Sequence, residues 1–227
     1  MKIGIIGAMQ MEIDDLKEAM ENTSSEVVSG VTYISGSIHG TQVVAAVCGV
    51  GKVFAAICAE AMILRYQPDM IINIGVGGSL TKDLGVLDVA LASYMVQHDM
   101  DTSPLGDPVG LLSGINMLLL PADEKMVDGF AAVMNEKGIH YKKGIIATGD
   151  QFIATKEQKD RITAHFGAIA AEMEGGSIAH VCYVNQVPFA VLRSISDSEG
   201  GAMDYQTFAE KAAVQSIEIV LAFIEAL

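Results

Sequence analysis

Short apolar segments alternate with segments of helical character along the whole 227-residue chain. The runs at 2–8, 69–78 and 167–174 are typical of buried strands, whereas 52–66 is typical of a helix. Because parallel strands buried on both faces need helical crossovers between them, the alternation predicts a mostly parallel, mixed sheet covered by helices. The length suits one sizeable core, and we expect a single α/β domain over residues 1–227 with three layers, α/β/α.

The same patterns give the order of the remaining elements. Residues 11–22 are predicted to form a helix, 31–51 a hairpin that turns near Gly40, 86–99 a strand, and 103–114 a loop rich in Pro and Gly. Further helices are expected near 123–137, near 155–165, from Ser177 and at the carboxyl terminus, with strands at 142–150 and 188–197.

Acidic side chains outnumber basic ones, with 28 Asp and Glu against 14 Lys and Arg and a formal net charge of -14. This charge repels phosphate backbones, so we expect no nucleic-acid partner. A neutral or cationic small molecule is a better match. Hydrophobic residues make up 51% of the chain, and a self-associating surface is a reasonable use of this excess. We therefore expect a homo-oligomer.

The cellular compartment is suggested by what the sequence lacks. Charged residues interrupt every apolar run before it could span a bilayer, and the amino terminus shows no cleavage site of an export signal. Cys48, Cys58 and Cys182 are odd in number and show no metal-ligand spacing. We expect a cytoplasmic protein with reduced thiols and no membrane contact.

Glycines and polar residues gather where the predicted strands end. The segments are GAM (7–9), GVGG (75–78), GDQFI (149–153), EMEGG (172–176) and RSISD (193–197). In open α/β sheets, ligands bind outside the carboxyl ends of the strands. These segments therefore predict a ligand site at one edge of the sheet.

Carboxylates in and near these segments have competing explanations. Glu172 and Glu174 follow an apolar run, and strand alternation places both on one face with Glu174 nearer the cleft. On spacing alone, a catalytic role and a structural role, as a helix cap or a partner of Arg193, are equally good explanations. Taken alone, Glu12 is better explained by the start of a helix and Asp197 by a cap.

Other motifs for cofactors and metals are weak or missing. HDMD (98–101) fits a metal site only loosely, and a solvated loop is the preferred interpretation. GVGKVF (49–54) lacks the third glycine of a dinucleotide-binding loop, and no P-loop is present. Neither a G-x-S-x-G elbow nor a Cys–His pair supports covalent acyl chemistry. We expect neither a cofactor nor a metal.

Five segments together carry a resemblance to a known family. They are MKIGIIGAMQMEI (1–13), NIGVGGSL (73–80), TGDQFI (148–153), AAEMEGGSIAHVC (170–182) and VLRSISD (191–197). In this order, over essentially the whole chain, the sequence closely resembles the 5′-methylthioadenosine/S-adenosylhomocysteine nucleosidases of the nucleoside phosphorylase superfamily. The resemblance implies a nucleoside phosphorylase-like fold and a cofactor-free hydrolase that releases adenine from a 5′-substituted nucleoside.

The resemblance assigns catalytic roles to three carboxylates. Glu12 matches the glutamate that activates the attacking water, Glu174 the one that binds the ribose hydroxyls, and Asp197 the acid that serves purine N7. Cleavage of an N-glycosidic bond builds positive charge on the sugar, which a carboxylate stabilises, and the leaving adenine needs a proton. These three residues are the expected catalytic set.

The resemblance also implies the residues that bind the substrate. Phe152 matches the ring that stacks on adenine, and Ile153 the residue whose backbone reads the purine edge. Met173 and Arg193 match residues that line and order the ribose site. The remaining positions are Met9, Val50 and Tyr205, around the ribose and its 5′ substituent, together with Val76 and Ser196.

Departures from the family pattern concern the acid and the 5′ pocket. Val76 stands where the best-known members have a serine, which removes a hydrogen-bonding group near the acid. Thr102 and Leu105 replace larger apolar residues in a loop expected to line the 5′ pocket across a homodimer interface. The loop before Tyr205 is also shorter. The chemistry is expected to be kept, while the preference among methylthioadenosine, adenosylhomocysteine and 5′-deoxyadenosine is left open.

Three alternatives make different demands on these residues. A phosphorylase needs cations around phosphate, whereas the first glycine segment offers Glu12, which repels phosphate but can activate water. A nucleoside-binding protein without activity need not keep Glu12, Glu174 and Asp197, yet all three are present. A futalosine-type hydrolase would differ only in the 5′ pocket. Hydrolysis is the preferred interpretation, and the resemblance implies nucleoside catabolism and methionine salvage as the roles it would serve.

Overall fold

A computed structural model describes residues 1–197 and 202–227, without the side chains of 202 and 203. The shorter loop predicted before Tyr205 falls on 198–201 and lies outside the described residues. The strands are β1 (Lys2–Gly7), β2 (Glu21–Val28), β3 (Val31–Ile38), β4 (Thr41–Val47), β5 (Met70–Asn73), β6 (Val76–Ser79), β7 (Val89–Gln97), β8 (Leu120–Pro121), β9 (Tyr141–Thr148), β10 (Ala170–Glu172) and β11 (Phe189–Asp197). The helices are α1 (Asp14–Glu18), α2 (Lys52–Tyr66), α3 (Glu124–Glu136), α4 (Lys156–Phe166), α5 (Gly175–Asn185) and α6 (Ala202–Glu225), with 3-10 turns at Gln10–Glu12 and Ser103–Leu105.

Within the described residues the strands form one sheet, in the order β2-β3-β4-β1-β5-β11-β6-β10-β9-β7-β8. Strand β1 is parallel to β4 and β5, β11 to β5 and β6, and β9 to β7 and β10. The β2–β3, β3–β4 and β7–β8 pairs are antiparallel. The predicted fold class, an α/β protein with a mixed sheet, is confirmed.

An additional antiparallel pairing joins β7 to β11. Because β6 also pairs with β10, the β7–β11 pairing closes a ring of the five strands β11, β6, β10, β9 and β7. The sequence patterns give no sign of this closure, since it depends on pairing between distant segments. The ring brings the carboxyl ends of β9, β10 and β11 together.

The apolar core surrounds the sheet. Ile3, Ile5 and Ile6 of β1 are fully buried, as the continuous apolar run predicted. Among the helices, α2 packs on α5 and α3 on α6. No helix in the described part of the chain is both long and apolar enough to cross a membrane.

The segment after β1 differs from the prediction of one helix over 11–22. It holds a 3-10 turn and the five-residue α1, and the chain then enters β2. Nearly every residue of β2 is exposed, because β2 is an edge strand that pairs only with β3 among the described strands. A strand without a buried face has no apolar alternation, so its sequence, ENTSSEVV, gave no signal.

The run at 69–78, predicted as one strand, is divided between β5 and β6 by Ile74 and Gly75. A Cβ atom at Gly75 would lie 2.6 Å from Oε1 of Glu12. Glycine therefore leaves room for that carboxylate beside the break. The break between β5 and β6 therefore lies next to the carboxylate of Glu12, which belongs to the 3-10 turn after β1.

Candidate active site

A cavity of about 190 Å³ lies at the carboxyl ends of β1, β9, β10 and β11. It is lined by the predicted residues Met9, Glu12, Val50, Val76, Phe152, Ile153, Met173, Glu174, Ser196, Asp197 and Tyr205. Residues that were not predicted to bind substrate also line it: Ala8, Gly77, Gly78, Gln151, Ala171 and Glu172. Of the predicted set, Arg193 lies behind the wall instead of in it.

Backbone N–H groups hold the Glu12 carboxylate from both sides. The N–H groups of Ala8 and Met9 donate to its Oε2 at 2.7 and 2.9 Å, and that of Val76 donates to Oε1 at 3.1 Å. Burial raises the pKa of Glu12, while Arg193 and these three donors oppose the rise. A fixed carboxylate with a raised pKa is suited to accept a proton from water.

Val76 contributes through its backbone. Its N–H is the donor to Glu12 Oε1, and this bond does not depend on whether the side chain is serine or valine. The Glu12 carboxylate is therefore anchored with valine at this position, although the valine side chain offers Asp197 no hydrogen-bonding group.

Glu172 is fully engaged by its surroundings. Its Oε1 accepts a bond from the Thr148 hydroxyl, and its Oε2 accepts bonds from the N–H groups of Glu174 and Gly175 at 3.0 and 2.6 Å. The same Oε2 pairs with the buried guanidinium of Arg193. Glu172 thus caps the amino end of α5 and balances a buried cation, two structural tasks.

Alternation had predicted that Glu174 lies in the strand, but β10 ends at Glu172. Glu174 is the residue before α5, with φ −132° and ψ −43°. Its Oε1 accepts the Gly51 N–H at 2.8 Å, and its Oε2 lies 4.0 Å from Arg193. Burial, reinforced by the neighbouring charge of Glu172, raises the pKa of Glu174 to about 7.

Arg193 is the cation behind these carboxylates. It donates to Oδ1 of Asn73 at 2.6 Å and to the Leu192 carbonyl at 2.9 Å, in addition to its pair with Glu172. Burial alone lowers the pKa of Arg193, but Glu172, Glu174 and Glu12 raise it above its ordinary value. Arg193 can order the carboxylates but does not reach the cavity.

Asp197 faces the cavity from the end of β11. Its Oδ1 accepts the Ser196 hydroxyl at 3.1 Å, and its Oδ2 lies 3.8 Å from Nζ of Lys159 on α4. Oδ2 is buried and has no hydrogen-bond partner among the residues that the structure describes. Burial raises the pKa of Asp197, while the ammonium of Lys159 opposes the rise.

Aromatic and apolar side chains form the wall beside Asp197. Phe152 is 44% exposed and meets Tyr205 edge to face, with ring centroids 5.5 Å apart. The Tyr205 hydroxyl donates to Sδ of Met9 at 3.3 Å, and Ile153 is buried beside Phe152. The exposed ring face of Phe152 is suited to stack on a planar base.

Thr102 and Leu105 do not line this chain's cavity. The Thr102 hydroxyl donates to Asp107, and Leu105 is 83% exposed on the surface. This placement is compatible with the predicted contribution of this loop to a second copy of the chain.

Sequence reasoning missed Lys159, the cation nearest to Asp197. The helix that carries it was predicted, but its neighbour in space is 38 residues away in the chain, and no motif links them. Within the described ranges no group of three His, Cys, Asp or Glu residues could hold a metal. The cavity thus offers Glu12 as a possible base, Asp197 as a possible acid, and a negatively charged lining between the two.

Known proteins resemble this chain over its full length. The phosphorylase superfamily profile matches residues 2–225. The chain is 36% identical to the 5′-methylthioadenosine/S-adenosylhomocysteine nucleosidase of Shewanella piezotolerans, and the alignment covers 100% of both proteins.

Two kinds of hydrolase are found among the similar solved structures. The native structure of Helicobacter pylori futalosine hydrolase has a TM-score of 0.95 at 36% identity and covers 100% of this chain and 98% of that one. A variant of the H. pylori nucleosidase with 5′-methylthioadenosine in its active site has a TM-score of 0.96 at 34% identity, covering 100% and 99%. By full-length profile match and by identity, the chain belongs to the 5′-methylthioadenosine/S-adenosylhomocysteine nucleosidase family of the phosphorylase superfamily.

Proposed function

We propose that this chain hydrolyses the N-glycosidic bond of 5′-methylthioadenosine and S-adenosylhomocysteine, with 5′-deoxyadenosine as a further substrate, and releases adenine and the 5′-substituted ribose. The lining of the cavity carries the proposal. It includes four carboxylates, and none of its described residues is lysine or arginine. Such a cavity repels phosphate, which a phosphorylase must bind, but accepts water and a sugar that becomes cationic.

Glu12 is the general base of the proposed reaction. Its carboxylate takes a proton from water, and the water oxygen forms a bond to C1′ as the C1′–N9 bond breaks. Its three N–H contacts fix the oxygens in place, and its raised pKa brings proton affinity closer to that needed at neutral pH.

Glu174 and Asp197 serve the two halves of the substrate. Glu174 accepts hydrogen bonds from the ribose hydroxyls, and its charge stabilises the positive charge that develops on the sugar. The bonding electrons pass to adenine, and Asp197 supplies a proton to N7. Burial, which raises the pKa of Asp197, favours the protonated form that this step needs.

An assay with separate products tests the proposal. Purified protein is incubated with each nucleoside, with and without phosphate, and the base and sugar are identified. We expect adenine and a free 5-substituted ribose at rates that do not depend on phosphate. Formation of a ribose 1-phosphate only when phosphate is added would identify a phosphorylase, and binding without release of adenine would identify a nucleoside-binding protein.

A futalosine-type nucleoside is the second candidate substrate, because the H. pylori futalosine hydrolase is 36% identical over the whole chain. The acid and base chemistry would be the same, and only the group on the 5′ carbon differs. Including such a nucleoside in the same assay ranks the substrates by kcat/KM. If kcat/KM is higher for the futalosine-type nucleoside than for 5′-methylthioadenosine and S-adenosylhomocysteine, that nucleoside becomes the proposed substrate.

We also propose a homodimer. Val53, Ile57 and Leu64 occupy one face of α2 at helical spacing, and Val53 and Leu64 are more than half exposed. With Val184 of the neighbouring α5, they form an apolar surface that a second copy would cover. Sedimentation is expected to give twice the 24.0 kDa mass, and Ile57→Glu is expected to give the monomer. A wild-type monomer would contradict the proposal.

The compartment and metabolic role follow as proposals. Three free, buried cysteines suit a reducing cytoplasm. Release of adenine and methylthioribose would serve nucleoside catabolism and methionine salvage. Cell fractionation with antibody detection would test the location.

A further inference from the structure

A charged cluster beside the cavity has no assigned task. Nζ of Lys52, the first residue of α2, lies 2.6 Å from Oδ1 of Asp99 and 3.4 Å from Oε1 of Gln97. Lys52 and Asp99 are about four-fifths buried. Asp99 belongs to the HDMD segment, for which a solvated loop was the preferred interpretation; its side chain instead forms a partly buried ion pair.

The cluster also holds the backbone at the start of α2. The Lys52 N–H donates to Oδ1 of Asp150 at 2.8 Å, and the Asp150 N–H donates to Oδ2 of Asp99 at 2.9 Å. Asp99 follows β7 and Asp150 follows β9. Two strand ends therefore fix both the side chain and the N–H of Lys52.

The residue before Lys52 touches the site. Gly51 has φ +100° and ψ 161°, a conformation that favours glycine, and its N–H donates to Oε1 of Glu174 at 2.8 Å. A Cβ atom at Gly51 would lie 3.0 Å from Oδ1 of Asp150. The direction of the Gly51 N–H is thus set by a closely packed start of α2.

Glu174 has a competing partner. Its Oε2 lies 4.0 Å from Arg193, which is behind the cavity wall. Without the Gly51 N–H, the attraction of that cation would favour rotation of the carboxylate away from the cavity. The N–H therefore determines where the carboxylate points.

We propose that Asp99 is a positioning residue which, through Lys52 and Asp150, directs the Gly51 N–H at Glu174 and so aims that carboxylate at the ribose hydroxyls. The inference rests on the proposed function, and it adds residues that touch no substrate. A misplacement of about 1 Å at a reacting group is enough to lower a rate strongly.

Substrates that lack one ribose hydroxyl provide the test. Asp99→Ala, Asp99→Asn and Lys52→Met are compared with wild type and Glu174→Gln on 5′-methylthioadenosine and its 2′-deoxy and 3′-deoxy analogues. Asp101→Asn is the matched control, because Asp101 lies in the same segment but is exposed and accepts only the Ser103 N–H among the bonds described.

We expect Asp99→Ala and Lys52→Met to lower kcat/KM for methylthioadenosine by about tenfold, with Asp101→Asn close to wild type. The loss is expected to shrink to within about twofold on the analogue whose missing hydroxyl also removes the effect of Glu174→Gln. This dependence on one hydroxyl separates positioning of Glu174 from general damage to the fold.

An equal loss on all three nucleosides, or no loss, would overturn the inference. If Asp99→Ala fails to fold, Asp99→Asn and Lys52→Met decide by the same criterion. If wild type releases no adenine, the proposed function fails. Calorimetric binding of the three nucleosides to the same variants then tests the positioning role separately, by the same dependence of the loss on one hydroxyl.

Discussion

The two ends of the cavity differ in how their carboxylates are held. At the sugar end, three backbone N–H groups hold Glu12, and Gly51 holds Glu174 with Arg193 behind it. At the base end, Asp197 accepts only a hydroxyl from the adjacent Ser196 among the described hydrogen bonds, and Phe152 is 44% exposed.

The difference matches the chemistry proposed for each end. Positive charge develops on the sugar during the reaction, and groups that stabilise it act best when fixed beforehand. The base is a planar group that can complete the other end itself, since it can stack on Phe152 and supply N7 as the missing partner of Asp197 Oδ2. Substitutions at the sugar end should therefore affect turnover more than binding.

The largest effect is expected from Glu12→Gln. The amide keeps the shape of the side chain but cannot accept the proton of water, and its NH₂ group would face backbone donors. We expect kcat to fall by about 10⁴-fold, the upper end for a general base, with nucleoside binding retained. Single-turnover kinetics and calorimetry measure the two quantities. Near-normal turnover would reduce Glu12 to a residue of the first turn.

Asp197→Asn tests the base end. Asparagine can donate a hydrogen bond to N7 but cannot transfer a proton, so we expect a loss of about 10²–10³ in rate with binding retained. The loss should shrink for a nucleoside whose leaving group departs without protonation. Turnover within about tenfold of wild type on the adenine substrate would show that the proton comes from another group.

Glu174→Gln should lower kcat by about 10²-fold and weaken substrate binding less, because the charge that Glu174 stabilises is greatest in the transition state. The sign of the pH dependence follows from its pKa of about 7. The ionised form is the active one, so wild-type kcat/KM should fall as the pH drops through about 7. A variant with a higher KM and unchanged kcat would show that Glu174 only binds.

Glu172→Gln should affect stability first. It leaves Arg193 buried without its closest counter-charge, and loss of one partner of a buried ion pair destabilises a protein by about 3 kcal/mol. Urea unfolding measures the change in the free energy of unfolding. Kinetics at a low temperature, where the variant stays folded, measure its effect on turnover. Equal kinetic losses in the Glu172 and Glu174 variants, with folding intact, would contradict the division of roles between them.

The sequence predicted the layers and the helices other than the one placed over 11–22, because these depend on local periodicity. Most of the cavity wall was predicted by the resemblance of continuous motifs to a known family. Edge strand β2 escaped prediction because it has no buried face. The position of Glu174 before α5 was also missed, since Met173 between the two glutamates continues the alternation past the last strand residue.

Contacts between distant segments were a second class of omission. The pair of Lys52 with Asp99 joins residues 47 positions apart, and that of Lys159 with Asp197 joins residues 38 apart. Neither has a sequence signature, because each partner is an ordinary charged residue until the fold brings the two together.

The smallest effect is expected from Lys159→Met, and it concerns pH more than rate. The groups facing Asp197 from the described residues are Ser196, Lys159, Asp204 and Tyr205. The Lys159 ammonium favours the ionised form of Asp197 and so lowers its pKa, against the effect of burial. Removing the ammonium should raise the pKa of Asp197.

Because Asp197 donates its proton in the proposed reaction, activity is present below its pKa and is lost as the pH rises through it. In Lys159→Met the alkaline limb of the pH profile should therefore move to higher pH, while the acidic limb, set by Glu12 and Glu174, should stay in place. Lys156→Met is the matched control, since Lys156 lies on the same helix, is exposed and pairs with Asp160. A shift of the alkaline limb to lower pH, or equal shifts in both variants, would mean that Lys159 does not act on the acid.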